Sequence, residues 1–312
     1  MNLFLAVLFV REKLGFYRFY LIAFLINDAC YSLCILLIRG EPNTYRNAFV
    51  MTATGFLKGY YPAMIFAMFH YQCISILTAQ FIFRYAAICN FKLFHFLTTP
   101  WSMIYFIAFV LTSDVLTSSG MLPLQPNEFD LEYLKDLDAD DYGDVPSGMM
   151  VGVYWANDTF KGINWIAVLS STGVTLFQAL QFAVMGVCMM QIHAVLKDPQ
   201  ALGGNIASLR MERKIFVTLL AQTMVPIVAT IFPIACFVVW PFFTSAKIPH
   251  ACITFDRIAR ALFPVIDGFF ISTLTRVNGL SYVTTQQSTA TQSTVPVHST
   301  EMHPASSVVL IS

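Results

Sequence analysis

The chain has 312 residues, of which 57% are hydrophobic and only 12% are charged. Soluble domains carry about 25% charged residues, so this composition excludes an ordinary soluble protein and indicates an integral membrane protein. Basic and acidic residues are equal in number, 18 of each, and nothing in the charge suggests a nucleic-acid partner.

Apolar segments recur along the chain, and about 20 apolar residues are enough to cross a bilayer as a helix. The N-terminal segment, Met1–Val10, is too short to span and predicts a partial helix. Complete spans are predicted at residues 16–38, 62–83, 98–118, 163–190, 215–243 and 253–274. The predicted fold class is all-α: a polytopic membrane helix bundle over residues 1–275, with six complete helices plus an N-terminal stub.

The largest connection, residues 120–162, changes the character of the chain. It carries a run of aspartates from Asp136 to Asp144 that is too acidic to enter lipid, so an exposed extracellular loop is predicted. Asn157 begins an Asn-Asp-Thr triplet that matches the N-glycosylation acceptor pattern. The acidic run lacks the EF-hand ligand spacing, and a solvated acidic surface is favoured over a calcium site.

The basic residues predict how the chain lies in the plasma membrane. With the acidic loop outside, the inner connections and the tail hold more lysine and arginine than the outer connections. The N-terminus is therefore predicted outside and the C-terminus in the cytoplasm. Residues 276–312, rich in serine and threonine, predict a disordered cytoplasmic tail.

The span at 62–83 is the one around which the other segments are predicted to be organised. At about 100° per residue, Phe66, His70 and Gln80 fall on or near one face, and Arg84 follows at the end of the span. His70 is either a ligand contact or a buried side chain satisfied by its neighbours. Arg84 is either a contact for a cytoplasmic partner or a snorkelling arginine at the interface.

Polar side chains at similar predicted depth suggest a pocket near the outer ends of the helices, for a small anion or a polar odorant. The candidate ligand-binding residues are Phe66, His70, Asp114, Arg257 and Arg260. Asp256 precedes Arg260 by four residues, the favourable order for an ion pair on one helix turn, and a snorkelling pair at the interface is the alternative.

Asp28 and Asp267 also lie inside apolar segments, where a charge calls for a partner or for water. Ion binding between their two helices is one interpretation. A neutral or hydrogen-bonded structural role is the other, and it is favoured.

Four short motifs occur in order along the chain. They are Gly15-Phe16-Tyr17-Arg18-Phe19-Tyr20-Leu21, Gln80-Phe81-Ile82-Phe83-Arg84-Tyr85, Gln222-Thr223-Met224-Val225-Pro226 followed by Pro233, and Phe263-Pro264-Val265-Ile266-Asp267. In this order and spacing they resemble the nematode seven-transmembrane serpentine chemoreceptors of the Str-type group. The resemblance covers most of residues 15–276 and implies a seven-transmembrane, receptor-like bundle.

The chain departs from the pattern of that family in three places. Phe83 stands where the family has tyrosine, and Gly268 stands where a proline is usual. Met1–Val10 alone represents the first helix, which suggests a truncated member or an incomplete sequence. The acidic loop has no cysteine, so the loop-to-third-helix disulfide of rhodopsin-like receptors cannot form.

The resemblance implies a chemosensory receptor for a small molecule, located in a sensory cilium, that signals through a heterotrimeric G protein. The candidate cytoplasmic face consists of Arg84, Tyr85, Arg210, Arg213 and Lys214, and the candidate switch of Gln222, Pro226, Pro233 and Asp267. The two prolines of the switch are predicted bend points, because proline removes a backbone donor and clashes with the preceding turn, and static kinks are the alternative. Ligand binding is hypothesised to move the basic inner end of the sixth helix away from Arg84.

No catalytic or cofactor motif is recognised, so neither enzyme activity nor a cofactor is expected. The histidines show no metal-ligand spacing. A membrane transporter or channel is the alternative function, suggested by intramembrane acids and proline-broken helices. Against it, the sequence shows neither two similar halves nor a pore-lining polar stripe on several helices.

Overall fold

A computed structural model describes the larger part of the bundle. The described residues are 17–99, 101–134, 149–156, 162–198, 213, 216–217, 219–221, 223–224, 227–228, 232–244, 248–249, 251–260, 262 and 266. The predicted stub Met1–Val10, the acidic run and the tail lie outside them. The predicted count of six complete helices plus a stub therefore stays a prediction.

In the described part of the chain, four helices are long and apolar enough to cross a membrane. They are α1 (Tyr17–Leu37), α2 (Tyr60–Cys89), α4 (Ser102–Met121) and α6 (Trp165–Lys197). Shorter helices are α3 (Phe91–Leu97), α5 (Glu128–Tyr133), α7 (Phe232–Phe243) and α8 (251–260). A 3-10 turn at Leu122–Leu124 follows α4.

Two helices run beyond the predicted spans: α2 continues past residue 83 to Cys89, and α6 past residue 190 to Lys197. The spans were predicted from apolarity, whereas a helix continues wherever its residues favour it, as alanine and arginine do after Phe83. The 30 residues of α2 extend about 45 Å, more than the ~30 Å hydrocarbon core. The sequence suggested that Arg84 lies at the end of its helix, but the helix continues beyond it to Cys89.

Helix α2 lies at the centre of the bundle. Within its most apolar stretch 67% of the residues are buried, against 39% in α1, 28% in α6 and 22% in α4. It packs against all three, and its Phe66, Ile74, Leu77 and Phe81 are almost fully buried in the main hydrophobic core. The peripheral helices expose their leucines and isoleucines on the opposite face, the pattern of a bundle surrounded by lipid.

A small antiparallel sheet covers one end of the bundle, and the all-α prediction omitted it. Its strands are β1 (Gly40–Tyr45), β2 (Ala48–Ala53) and β3 (Met149–Val153), with β2 in the middle. Val50 pairs with Val151, and Met51 with Met150. A second pair, β4 (Trp155–Ala156) and β5 (Gly162–Ile163), precedes α6. We call the end of the bundle at which this sheet lies the sheet end.

The two faces of the sheet bury different sets of side chains, as the two-residue period of a strand requires. Phe49 and Met51 of β2 join the main core of the bundle, whereas Val50 joins a second cluster above the sheet. Phe129 and Tyr133 of α5 pack on that second cluster. The sheet and α5 thus form a layered cap, and "the cap" below means β1, β2, β3 and α5.

The cap corrects two expectations. The connection between the predicted spans 16–38 and 62–83, to which the all-α prediction gave no strand, contains the hairpin β1–β2, and every residue of β2 is buried. The loop 120–162 is not exposed throughout, since β3 is entirely buried. Strands buried on both faces show no polar alternation, which is why the apolar sequence Ala48–Ala53 gave no strand signal.

Pairing between β2 and β3 also fastens the long loop to the segment that leads into α2. All seven cysteines of the chain are free thiols, so no disulfide contributes to this attachment, and backbone hydrogen bonds and apolar packing join the two segments. At the start of α5, Asn127 and Asp130 form a capping box. Burial raises the pKa of the Asp130 carboxyl, and its hydrogen bond from the Asn127 N–H opposes that shift.

Candidate functional site

A cavity lies beneath the cap, at the sheet end of the bundle. Side chains from the sheet, α2, α6, α7 and α8 line it, together with the end of α4. The empty volume between its lining residues is about 580 Å³, which includes space open to the surroundings and is therefore an upper bound on the room for a ligand. Most of the wall is apolar, as Phe49, Met51, Leu124, Val174 and Val238 illustrate.

Three of the five predicted ligand-binding residues line this cavity: Phe66, His70 and Arg260. Phe66 and His70 are one turn apart on α2 and therefore share a face. The guanidinium carbon of Arg260, on α8, lies 5.7 Å from the centre of the Phe66 ring, within the range of a cation–π contact. Periodicity on α2 thus identified one wall of the cavity from sequence. That these residues bind a ligand stays a prediction.

Arg260 is buried and paired, which is the geometry of an ion pair inside the bundle rather than of an arginine that snorkels to the interface. Its side chain is 7% exposed and that of Asp256 is 1% exposed, and the two form a hydrogen-bonded ion pair one helix turn apart. Arg260 also donates a hydrogen bond to the backbone carbonyl of Gly40 in β1. The last helix and the cap are thereby joined at the cavity wall.

His70 is 5% exposed and packs among aromatic rings. The centre of its ring lies 5.8 Å from that of Tyr31 on α1 and 5.4 Å from that of Tyr71. Its Nε2 atom is buried and has no hydrogen-bond partner among the described residues. A buried nitrogen without a partner is costly, and a ligand in the cavity can satisfy it.

The other two predicted ligand residues lie elsewhere. Asp114 on α4 accepts a hydrogen bond of 3.0 Å from Gln72 Nε2 and does not line the cavity. Gln72 follows His70 by two residues, about 200° around the helix, so α4 meets a different face of α2. Arg257 is about half exposed and pairs with Glu41 of β1 at 3.0 Å. Similar depth in the membrane did not bring these side chains to one site.

On the predicted cytoplasmic side, Arg84 is buried with 8% exposure and Tyr85 is half-buried, five and four residues before the end of α2. Arg213 is an exposed helical residue. Pro233 is buried near the start of α7. The remaining predicted site residues, Arg210, Lys214, Gln222, Pro226, Asp267 and Asn157, lie outside the described residues.

Asp28, one of the intramembrane acids singled out in the sequence, is buried on α1 with 7% exposure. Its backbone carbonyl accepts a hydrogen bond of 2.7 Å from Ser32 Oγ. The neighbouring Asn27 reaches the backbone carbonyl of Phe69 on α2 at 3.4 Å. Among the described residues no group of three histidine, cysteine, aspartate or glutamate side chains is placed to hold a metal ion.

Sequence reasoning missed Tyr154 and Ser171. Tyr154 follows β3, is fully buried, and donates a 3.0 Å hydrogen bond to the hydroxyl of Ser171, which lines the cavity. Burial raises the pKa of the Tyr154 hydroxyl, so it stays neutral and can donate. Its ring stacks on Phe242 of α7 at 4.0 Å. No sequence signal links these residues, because their contact depends on the position that β3 takes in the folded bundle.

The apolar spanning helices, the capped cavity and the central helix together define a multi-pass membrane protein with a receptor-like helical bundle. The family model described as "Serpentine type 7TM GPCR chemoreceptor Str" matches residues 1–275. The chain therefore belongs to the Str family of serpentine seven-transmembrane chemoreceptors, and the resemblance seen in the four motifs is confirmed. "G-protein coupled receptor str-33" of Caenorhabditis elegans is 21% identical over 273 residues, covering 83% of this chain and 78% of that protein.

Proposed function

We propose that the chain binds a small molecule in the cavity under the cap and transmits binding to a heterotrimeric G protein. Membership of a chemoreceptor family of G-protein-coupled receptors makes it a chemosensory receptor in general terms. The observation that carries the specific proposal is the cavity itself. It joins Phe66 and His70 of the central helix to Arg260 of the last helix, and α7 lines another side.

A ligand changes the signalling state only if it binds one conformation better than the other. The cavity supports such a preference because side chains of several helices meet around it. Val238 and Ile234 of α7 line the cavity together with Arg260 of α8. A ligand that improves these contacts stabilises one arrangement of α7 and α8 relative to α2, and a tenfold preference corresponds to about 1.4 kcal/mol.

The test uses a panel of small odorants on cells that express the chain with a G protein, with nucleotide exchange as the readout. Ala67 lines the cavity and is buried. Ala67→Phe fills the cavity and should abolish the response at parental surface level. Ala108→Phe is the matched control, because Ala108 is exposed on α4, and should leave the response unchanged. An unaltered response of Ala67→Phe would show that this cavity is not the ligand site.

A further inference from the structure

The charges at the cavity cancel one another. Arg260 is the cationic residue in its lining, and the Asp256 carboxylate binds that guanidinium directly in a pair that is almost entirely buried. No acidic side chain lines the cavity among the described residues. The wall therefore offers an incoming ligand neither a free positive charge nor a free negative one.

The cavity nevertheless offers hydrogen bonding. His70 and Arg260 both line it, and each keeps a nitrogen, His70 Nε2 and Arg260 Nε, that is buried without a hydrogen-bond partner in the described part of the chain. Because a buried unsatisfied nitrogen costs free energy, a ligand gains affinity by supplying the missing partner. An apolar wall with a few polar groups is the usual construction of a small-molecule site.

We propose that the cavity takes an uncharged small molecule, an apolar body bearing one hydrogen-bonding oxygen, and that Asp256 sets this preference by neutralising Arg260. The inference rests on the proposed function, since it assigns a ligand class to the same cavity. A carboxylate ligand would compete with Asp256 for a guanidinium that is already paired. An ammonium ligand would lose its hydration without finding an anion, and burying an unpaired charge is strongly unfavourable.

In this proposal Asp256 and His70 discriminate between ligands in different ways. Asp256 excludes anions through its charge, although it does not itself line the cavity. His70 supplies a hydrogen bond to the ligand oxygen and so distinguishes a polar ligand from a hydrocarbon. Discrimination of the second kind is large when a site is built around a hydrogen bond that the wrong ligand cannot make.

The experiment measures binding of a matched series in which only the head group changes: straight-chain alkanols, alkanoates, alkylammonium ions and alkanes of four to eight carbons. Binding is read from the ligand-induced rise in melting temperature of the purified chain, and signalling from G-protein nucleotide exchange. In the parent chain, the best alkanol should bind at least about tenfold more tightly than the matching alkanoate or alkylammonium ion. His70→Leu should remove the advantage of the alkanol over the alkane, and His95→Leu, at an exposed histidine of α3, should not.

Asp256→Asn keeps the shape of the side chain and leaves Arg260 with an uncompensated charge. Binding of the alkanoate should then strengthen about tenfold relative to the alkanol. Asp114→Asn is the matched control, since Asp114 lies outside the cavity, and the charge preference should not change. If Asp256→Asn does not fold, the double variant Asp256→Leu with Arg260→Met decides, because replacing both members of a buried pair is tolerated far better than removing one. It should retain the preference for the alkanol.

Tighter binding of the alkanoate or the alkylammonium ion to the parent chain, blocked by Ala67→Phe, would overturn the ligand class and leave the proposed receptor function intact. If the alkanol binds but does not stimulate nucleotide exchange, the ligand class is supported and the proposed coupling to a G protein is contradicted. If the ratio of alkanoate affinity to alkanol affinity is the same in Asp256→Asn and in the parent, Asp256 does not determine the charge preference. Failure of every series to bind would contradict the inference and the ligand site together.

Discussion

Gly40 is the residue at which the cap, the last helix and the cavity wall meet. Its carbonyl oxygen accepts a hydrogen bond from Arg260, and a Cβ atom at this position would lie 2.6 Å from the Phe66 ring. A real Cβ atom does not come that close to a carbon, so any other residue forces the ring to move. Glycine is required here by close approach rather than by backbone conformation.

Gly40→Ala should therefore lower the melting temperature of the purified chain and weaken ligand binding. Overpacking of this kind costs about 1–3 kcal/mol, and the displaced Phe66 ring lies in the cavity wall. Gly186→Ala is the control, because a Cβ there meets nothing within 4 Å, and alanine in a helix is favoured over glycine by about 1 kcal/mol. Equal melting temperatures for the two variants would refute the steric argument.

The sequence predicted residues that lie together on one helix face, and it missed residues brought together by contacts between separate elements. Phe66 with His70, and Asp256 with Arg260, are each four residues apart, so helix geometry alone puts them on one face. Asp114 was grouped with them by depth, but depth does not specify which face of α2 a neighbouring helix meets. Gly40 and Ser171 were not predicted, because their role depends on contacts between the cap and the helices.

The cap is an element whose function follows from how it is attached. Three polar contacts join it to α7 and α8. Glu41 pairs with Arg257 of α8 at 3.0 Å, the Gly40 carbonyl accepts a hydrogen bond from Arg260 of α8, and Asn47 Nδ2 donates to the carbonyl of Pro241 in α7 at 3.0 Å. Arg257 is about half exposed, so its ion pair contributes little stability. The cap is thus joined to α8 by one exposed ion pair and one buried hydrogen bond, and to α7 by a hydrogen bond, while packing of β2 and β3 holds it to the bundle.

The sequence did not predict the cap, for a physical reason. A strand signal in sequence is an alternation of polar and apolar residues, and β2 is buried on both faces. Its pairing partner β3 lies almost a hundred residues further along the chain, beyond the reach of local pattern. The apolar spans, in contrast, are long and contiguous, so α1, α2, α4 and α6 were predicted from composition alone.

The sixth predicted span contains the element proposed to move. Ile227 and Val228, between Pro226 and Pro233 in the sequence, have π-helical conformation, and π-helical turns, like prolines, are sites at which helices bend. Pro233 is buried, so a bend there is held by its neighbours rather than by lipid. Movement of the inner end of this span relative to the buried Arg84 would open the partner site.

Arg84→Ala and Pro226→Ala test this movement. Each variant should retain ligand binding and lose most of its nucleotide exchange, since the first removes the proposed partner contact and the second stiffens the proposed bend. Surface level, ligand affinity and exchange are measured for both variants and for Lys92→Ala, a control at an exposed position in the nearby α3. Exchange that equals the parent in both variants at matched surface level would exclude the mechanism.

Across the whole molecule, the two ends of the bundle have different chemistry. The sheet end is closed by the cap and continues in sequence into the acidic run and the Asn157 triplet. At the opposite end, α2 leads through Asn90 into the short α3, and α6 ends at Lys197. Excess basic residues mark the cytoplasmic side, so the sheet end should face the outside and the ligand should enter there.

This orientation predicts that Asn157 is glycosylated and that the C-terminus is cytoplasmic. Only a sequon in the lumen of the secretory pathway receives a glycan, so a glycosidase should shift the mobility of the parent chain and leave Asn157→Gln unchanged. Asn157→Gln removes the acceptor with little change in polarity, and Asn205→Gln, in the basic connection predicted to be cytoplasmic, is the control that should keep the shift.

In intact cells an antibody should reach a tag at the N-terminus but require permeabilisation to reach one at the C-terminus. Detection of the C-terminal tag without permeabilisation would invert the topology and place the cavity on the cytoplasmic side.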